Sequence, residues 1–356
     1  MHLPPNLPLT FALIAFGGFG GLIAQFFGLP LPFLLGSLLA TAPVAIFASH
    51  HLPQAYDFPV AIRVPFVALI GAVIGAQVTL SLVMSLHHML PSLLAMVVFV
   101  LTAQGANYVI FRRLGGYDAP TAFYSGAPGG LIESITFGEA SGCDARVLIT
   151  QQFLRIILVL TLVPLGMSFH LGFPVGSAGG QAFSATPVTA SMFPLAAFIV
   201  LIGTVAGKAL HLPAWQLTGA LLVSAGFSLA GIPLSLPNWL IFTAQVVLGA
   251  SLGMRFAGLN MALLIKGLWL SLLSVGTMLA IAAILAVALV SLTEQPLSVL
   301  FITFAPGGVN EMALVALSIG ANPAFVTLHH IFRIMITVML LGYASKRLAA
   351  TKSGPV

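Results

Sequence analysis

The sequence predicts an all-α polytopic membrane protein built from two inverted repeats. Three observations predict this fold: an apolar composition, a duplicated motif and the distribution of Lys and Arg. Hydrophobic residues make up 59% of the 356 residues and charged residues only 5%, against about 25% charged in an average soluble domain. So few ionisable groups cannot cover the surface of a soluble fold of this size. The lipid bilayer is therefore the expected surrounding of the chain.

An internal duplication relates the two halves of the chain at a nearly fixed offset. A shift of 178 carries the APGG sequence at residues 127–130 onto residues 305–308, and it carries Arg155 onto Arg333. Chance rarely aligns four consecutive identical residues and an isolated Arg at one offset. We therefore expect a first membrane repeat at 1–168 and a second at 194–356. The uncharged linker 169–193 joins them and is expected outside the cytoplasm.

Each repeat contains six apolar segments, and the fifth one is broken. The segments cover about 9–27, 31–48, 60–83, 90–111, 119–141 and 145–168, and then 193–210, 214–231, 237–256, 262–291, 297–320 and 324–344. Pro removes a backbone donor and Gly-Gly is a poor helix former, so the APGG sequence interrupts the fifth segment. Irregular backbone at membrane depth must be buried in protein or face water.

The distribution of Lys and Arg predicts how the fifth segment runs. If all six segments cross the membrane, Arg112 and Arg113 lie on the opposite side from Arg255 and Lys266. If the fifth segment is a re-entrant hairpin, each repeat crosses five times and the repeats are inverted. Ten of the twelve basic residues then lie in the cytoplasm with both termini. The positive-inside rule favours this second topology, with about ten transmembrane helices and two hairpins.

The candidate site consists of residues expected near the middle of the membrane. An Arg at this depth costs at least about 2.5–3.5 kcal/mol on insertion scales, so it needs a partner. Two arginines can bind a carboxylate bidentately, and the helix starts after Gly130 and Gly308 favour anions. The candidate substrate-binding residues are Arg155, Arg333, Gly129, Gly130, Gly307, Gly308 and Asn310, and the candidate ion-coupling residues are Glu133, Glu311, His329 and His330.

Two structural interpretations of these residues stay open. The glutamates can be the counter-charges of the arginines and hold the helix bundle together. The adjacent His329 and His330 can be ordinary hydrogen-bonded packing, although histidine changes its charge near neutral pH. Cys143 is the only cysteine, which excludes an intrachain disulfide and a cysteine-based metal site. We expect no cofactor and no metal.

The pattern APGG-x-x-E at 127–133, repeated at 305–311 with Arg155 and Arg333 downstream, resembles the AbrB family of bacterial membrane proteins. The resemblance covers nearly the whole chain, and it does not extend to the soluble DNA-binding regulator of the same name. It implies a bacterial inner-membrane location and at most an indirect influence on gene expression. Members are often labelled regulators or ammonia monooxygenases. An enzyme is not expected, because oxidative metal chemistry needs clustered ligands and adjacent histidines on a helix point about 100° apart.

The sequence therefore predicts a secondary transporter for a small anionic or zwitterionic solute. Inverted repeats with broken helices that meet near the midplane are typical of such transporters. One alternative is a non-transporting membrane regulator or sensor that influences gene expression through a partner protein, and a channel is a third. The expected partners are the lipid bilayer and a small-molecule solute, without nucleic acid. A homodimer is left open.

Overall fold

The computed structural model shows a helical chain. The described residues are 6–48, 52–53, 56–84, 88–175, 189–232, 234–257 and 261–352, and they contain no strand. Among these described residues, seven helices are long and apolar enough to cross a membrane: Leu7–Phe26, Leu90–Leu114, Ala145–Leu171, Met192–Ala209, Asn238–Phe256, Met261–Thr293 and Pro323–Ser345. The prediction of an all-α polytopic membrane protein is confirmed. The inverted orientation of the repeats stays a prediction.

The helices follow the apolar segments of the sequence. In chain order they are α1 (Leu7–Phe26), α2 (Pro32–Phe47), α3 (Val60–Gly75), α4 (Leu80–Met84), α5 (Leu90–Val109), α6 (Ala119–Ser125), α7 (Leu131–Ala140), α8 (Ala145–Leu171), α9 (Met192–Ala209), α10 (Trp215–Leu229), α11 (Asn238–Gly253), α12 (Met261–Thr293), α13 (Leu297–Phe304), α14 (Val309–Ser318) and α15 (Pro323–Lys352). A π-helical turn extends α5 and a 3-10 turn extends α11.

The chain forms two compact units, and each unit combines segments from both sequence repeats. The first unit comprises Met1–Ser85, Thr161–Gly258 and Asn310–Phe325, and the second comprises Leu86–Leu160, Leu259–Val309 and Val326–Val356. Each of the two sequence repeats, with boundaries predicted at residues 168 and 194, is therefore divided between the two compact units. Most of the predicted linker 169–193 lies outside the described residues.

One predicted segment, residues 60–83, is two helices. The first of them, α3, ends at Gly75, and α4 begins at Leu80. The hydroxyl of Thr79 accepts a hydrogen bond from the backbone N–H of Leu82 at 3.3 Å, as expected of a residue that caps a helix start. The 16 residues of α3 span about 24 Å at 1.5 Å per residue, which is short of a hydrocarbon core of about 30 Å.

In the first unit, glycines bring helices of one repeat against helices of the other. A Cβ added at Gly71 of α3 would collide with the backbone oxygen of Leu217 in α10, and one at Gly249 of α11 with that of Leu34 in α2. These are the same contact made twice, because a shift of 178 relates the glycines and a shift of 183 relates the leucines. Gly71 and Gly249 therefore lie on helix-packing faces, where a small residue lets two backbones approach closely.

Unusual backbone conformations also recur at equivalent positions of the two repeats. The residues before α2 and α10, Leu31 and Ala214, have φ of 43° and 48°. Residues other than Gly rarely adopt such positive φ angles. They are related by the shift of 183. Gly116 and Glu294, related by the shift of 178, have φ of 67° and 55°. The duplication is therefore present in the backbone as well as in the sequence.

The helices α6 and α7 fold back on each other as a hairpin. The hydroxyl of Thr121, near the start of α6, accepts a hydrogen bond at 2.9 Å from the backbone N–H of Asp144, which follows α7. The hydroxyl of Ser141, just after α7, donates to the hydroxyl of Tyr124 at 3.0 Å. The broken segment therefore ends beside its own beginning, as a re-entrant hairpin requires.

The hairpin predicts that the residues before α6 and after α7 are reached from the same side of the membrane. The native Cys143 reports one end, and Arg113→Cys in a Cys143→Ser background reports the other. We expect a membrane-impermeant maleimide to label both proteins from the same side of sealed vesicles. Detergent-permeabilised vesicles are the control for total reactivity. Labelling of the two cysteines from opposite sides would mean that α6 and α7 together cross the membrane.

The labelling of Cys143 depends on pH. Its burial, together with the negative charges of Asp118 and Asp144, raises the pKa of the Cys143 thiol to about 11. The thiolate is the species that reacts, so we expect the rate to rise about tenfold per pH unit from about pH 7 to about pH 10. The exposed thiol of Arg113→Cys should instead level off near its ordinary pKa of about 8.5. Parallel rate profiles for the two thiols would contradict this expectation.

Candidate functional site

The second compact unit contains nine of the eleven predicted site residues. They are Arg155, Arg333, Gly129, Gly130, Gly307, Gly308, Glu133, His329 and His330. The remaining two, Asn310 and Glu311, belong to the first unit, because the division between the units falls after Val309. The structure therefore groups both arginines and both APGG breaks in one unit, and it separates the two glutamates.

Each arginine donates hydrogen bonds to the broken backbone of its own repeat. Arg155 of α8 is 7% exposed and donates from Nη1 to the carbonyl of Ala127. Arg333 of α15 is 2% exposed and donates from Nη1 to Ala305 at 2.6 Å and from Nη2 to Gly307 at 2.5 Å. Ala127, Ala305 and Gly307 follow the ends of α6 and α13, where the backbone of each break lies outside the helices. The guanidinium groups donate to these carbonyls.

The tip of the first hairpin also lies against the arginine of the second repeat. A Cβ added at Gly129 would lie 3.6 Å from Nε of Arg333 and 3.4 Å from Oγ1 of Thr337. The charge of Arg155 acts on Arg333, so the two guanidinium groups share one region of the unit. Sequence reasoning missed Thr337. Its spacing of four residues from Arg333 places it on the same helix face and could have identified it.

Several polar atoms in the second unit are buried without a hydrogen-bond partner among the described residues. They are Nε of Arg155, Nε of Arg333, Oε1 of Gln152, Oγ of Ser125 and Nδ1 of His330, together with Oε1 of Gln104 and Oγ1 of Thr327. More than nine in ten buried polar groups of folded proteins are hydrogen-bonded. Of the nine such atoms found among the described residues, seven therefore belong to the unit that holds both breaks.

The two glutamates have different surroundings. Glu133 lies half-buried in the first turn of α7, beside Gly130. In the part of the chain that the structure describes, the partners of both guanidinium groups are carbonyls and not Glu133. Glu311 is 5% exposed in the first unit, where the charge of Arg255 acts on it. The counter-charge interpretation therefore does not describe Glu133, and its carboxylate already complements the start of α7.

The buried histidines occupy the positions that glutamines occupy in the first repeat. His330 pairs through Nε2 with the carbonyl of Ile302 at 3.1 Å, and Gln152 donates from Nε2 to the carbonyl of Tyr124 at 2.9 Å. Both members of each pair are related by the shift of 178. The same hydrogen bond is therefore made once by an amide, which does not titrate, and once by an imidazole, which does.

The neighbouring positions join the repeats to each other. Nε2 of His329 in α15 lies 2.8 Å from the hydroxyl of Ser92 in α5, and Ser271 in α12 donates to Oε1 of Gln151 in α8. His329 and Gln151 are again equivalent in the repeat. A hydrogen-bonded packing role therefore accounts for His329. Among the described residues, His, Cys, Asp and Glu form no group of three that could hold a metal ion.

Comparison with known proteins identifies similar chains over most of this sequence. The family model described as "Transition state regulatory protein AbrB" matches residues 33–349. The chain is 26% identical over 365 residues to the "Uncharacterized protein YhjN" of Bacillus subtilis (strain 168), covering 96% of this chain and 93% of that protein. It is 25% identical over 289 residues to the "Putative regulator AbrB" of Escherichia coli (strain K12), covering 80% of this chain and 81% of that protein.

Proposed function

The chain belongs to the AbrB family of membrane proteins, and on this premise we propose that it is a secondary transporter of a small anionic or zwitterionic solute. Its proposed location is a bacterial inner membrane with both termini in the cytoplasm. This topology also places Cys143 on the cytoplasmic side, so an impermeant reagent should label it in inside-out vesicles. The binding residues are Arg155 and Arg333, with the backbone around Gly129, Gly130, Gly307 and Gly308. Asn310 stays a candidate for substrate binding at the second break, and Glu133 and Glu311 stay candidates for ion coupling.

The observation that carries the proposal is the pair of buried arginines. The charge of Arg155 acts on Arg333, and the hydrogen-bond partners of both groups in the described chain are neutral carbonyls. A buried charge without an opposite charge is costly, and carbonyl dipoles offset only part of that cost. An anion bound beside both guanidinium groups supplies the missing negative charge. The arrangement therefore favours an anionic group over a neutral one.

The unpaired Nε atoms indicate how such an anion binds. The Nε–H and one Nη–H of a guanidinium form a fork that matches the two oxygens of a carboxylate. In Arg155 and Arg333 the Nε atom has no partner among the described residues, so this edge of the fork is available. A zwitterionic solute fits as well if its carboxylate takes the fork. The half-buried Glu133 of the same unit is then an acidic partner for the amino group.

The direct test is uptake by the purified protein in proteoliposomes. Labelled lactate, succinate and alanine represent a monoanion, a dianion and a zwitterion, and each is offered with and without a pH gradient. We expect saturable uptake of at least one of them, and loss of that uptake in Arg155→Gln. Arg146→Gln, an exposed arginine at the start of α8, is the matched control. Absence of flux for every solute in the wild-type protein would contradict transport.

A non-transporting sensor is the second candidate, favoured by the name "Putative regulator AbrB" of the relative from Escherichia coli. A sensor would bind the anion at the same arginines and act on gene expression through a partner protein. Expression profiles of a deletion strain distinguish the two functions. If a variant that binds the anion without transporting it restores normal expression, regulation does not need flux. We propose no enzymatic reaction for either candidate.

A further inference from the structure

The hydrogen bond of His330 defines which ring nitrogen can take up a proton. The carbonyl of Ile302 can only accept, so Nε2 of the neutral ring holds the hydrogen. The other nitrogen, Nδ1, is then a bare acceptor, and it is buried without a partner in the described chain. A proton that binds to the ring therefore binds at Nδ1. Gln152, the equivalent residue of the first repeat, offers no such position.

The carbonyl of Gly307 lies close to two cationic groups. It accepts from Nη2 of Arg333 at 2.5 Å, and it also lies near the His330 ring. A ring protonated at Nδ1 needs an acceptor, and this oxygen would then face two positive donors at once. Charges repel strongly where the surroundings exclude water. An anion bound at Arg333 removes this repulsion, because it neutralises one of the two charges.

We infer that His330 carries the coupling proton, and that its protonation and anion binding at Arg333 favour each other through the Gly307 carbonyl. The inference rests on the proposed transport function and deepens it by naming the coupling ion. Because linkage is reciprocal, the proton increases the affinity for the anion by the factor by which the anion increases the affinity for the proton. Proton and anion therefore cross together in the wild-type protein.

The charged groups around His330 agree with this assignment. Those that act on it are Arg333 and His329 of its own helix, while α13, which supplies its acceptor, contains no titratable residue. Arg155 of α8 acts on Arg333 in turn. The glutamates lack this link: the carboxylate of Glu133 lies beside Gly130, and Glu311 belongs to the other unit.

The transport experiment compares the wild-type protein with His330→Gln and His170→Gln in proteoliposomes. Gln at position 330 can keep the hydrogen bond that Gln152 makes in the first repeat, and His170 is an exposed residue in the last turn of α8. Labelled lactate and succinate are the probes, with acid outside and the membrane potential clamped at zero by potassium and valinomycin. A gradient of one pH unit supports about tenfold accumulation per coupled proton.

We expect the wild-type protein and His170→Gln to accumulate the anion, and His330→Gln to equilibrate it without accumulation. Exchange of labelled for unlabelled anion should persist in His330→Gln with a weaker apparent affinity, because Arg333 keeps its contacts and only the gain from the proton is lost. Accumulation by His330→Gln would overturn the inference. Loss of exchange in a folded His330→Gln protein would also overturn it, since the residue would then be needed for the anion itself. Absence of wild-type flux would count against the transport function.

Two measurements on the detergent-purified protein test the inference without transport. With ¹⁵N-labelled histidine, the wild-type spectrum above neutral pH should contain the signals of one more ring protonated at Nε2 and bare at Nδ1 than the spectrum of His330→Gln. A ring protonated at Nδ1 instead would overturn the inference. Addition of succinate to weakly buffered protein should take up about one proton in the wild type and none in His330→Gln. Equal proton uptake by both proteins would assign the proton to another group.

Discussion

Arg333→Gln is expected to lower anion uptake by at least about 100-fold, or about 3 kcal/mol of lost interaction with the anion. The substitution removes a buried positive charge and the Nε–H that no described residue accepts. Gln is too short to reach both carbonyls at the second break. It therefore loses at least one of the two hydrogen bonds. Ala305 also accepts from the backbone N–H of Gly307, so the cost of about 1–3 kcal/mol of stability arises if the carbonyl of Gly307 is left without a donor.

The measurement separates these two effects. Uptake is compared at equal amounts of protein that elutes as a single species, and the unfolding temperature is recorded for each variant. Arg155→Gln is the informative comparison, because Arg155 donates to one carbonyl and Arg333 to two. We expect both variants to lose uptake and Arg333→Gln to lose more stability. A folded Arg333→Gln protein with uptake within about threefold of wild type would return the arginine to a structural role.

Gly71→Ala and Gly249→Ala are expected to destabilise the protein, although alanine normally favours a helix. The added methyl group would collide with the backbone oxygen of Leu217 or of Leu34. A backbone atom cannot rotate away, so the helices must separate, and such overpacking costs about 1–3 kcal/mol. Because the two contacts are equivalent in the repeat, the two variants should lose similar amounts of stability.

Gly105→Ala is the matched control for these variants. Gly105 lies exposed in α5, and nothing lies within 4 Å of a Cβ added there. Its replacement should leave stability unchanged or increase it by up to about 1 kcal/mol through helix propensity. Thermal unfolding in detergent, followed by helical circular dichroism, measures all three variants. Equal unfolding temperatures for Gly71→Ala and Gly105→Ala would show that the close approach of α3 and α10 is not tight in solution.

Most of the fold could be predicted because it depends on composition and local residue types. Apolar segments of about 20 residues form spanning helices in a bilayer whatever their neighbours are. The Pro and glycines of the APGG sequence interrupt a helix locally, so the break between α6 and α7 was expected. The exception is the segment at 60–83, where α3 ends at Gly75 and Thr79 caps the start of a second helix, α4, which hydropathy did not indicate.

The candidate site was only partly predictable. The sequence identified Arg155 and Arg333 because a charge at membrane depth is rare and needs a partner. It did not identify their partners, the carbonyls of Ala127, Ala305 and Gly307, because carbonyls are present in every residue. Thr337 was missed because threonine is common in membrane helices.

The sequence by itself determined the membrane class, the duplication and the positions of the breaks, because each of these is encoded by residues close together in the chain. Only the tertiary structure decided that helices of different repeats pack together, and that Glu311 lies in a different compact unit from Arg333. It alone placed the first APGG break beside Arg333. These features are contacts between residues far apart in sequence, and packing, not residue type or spacing, selects among such contacts.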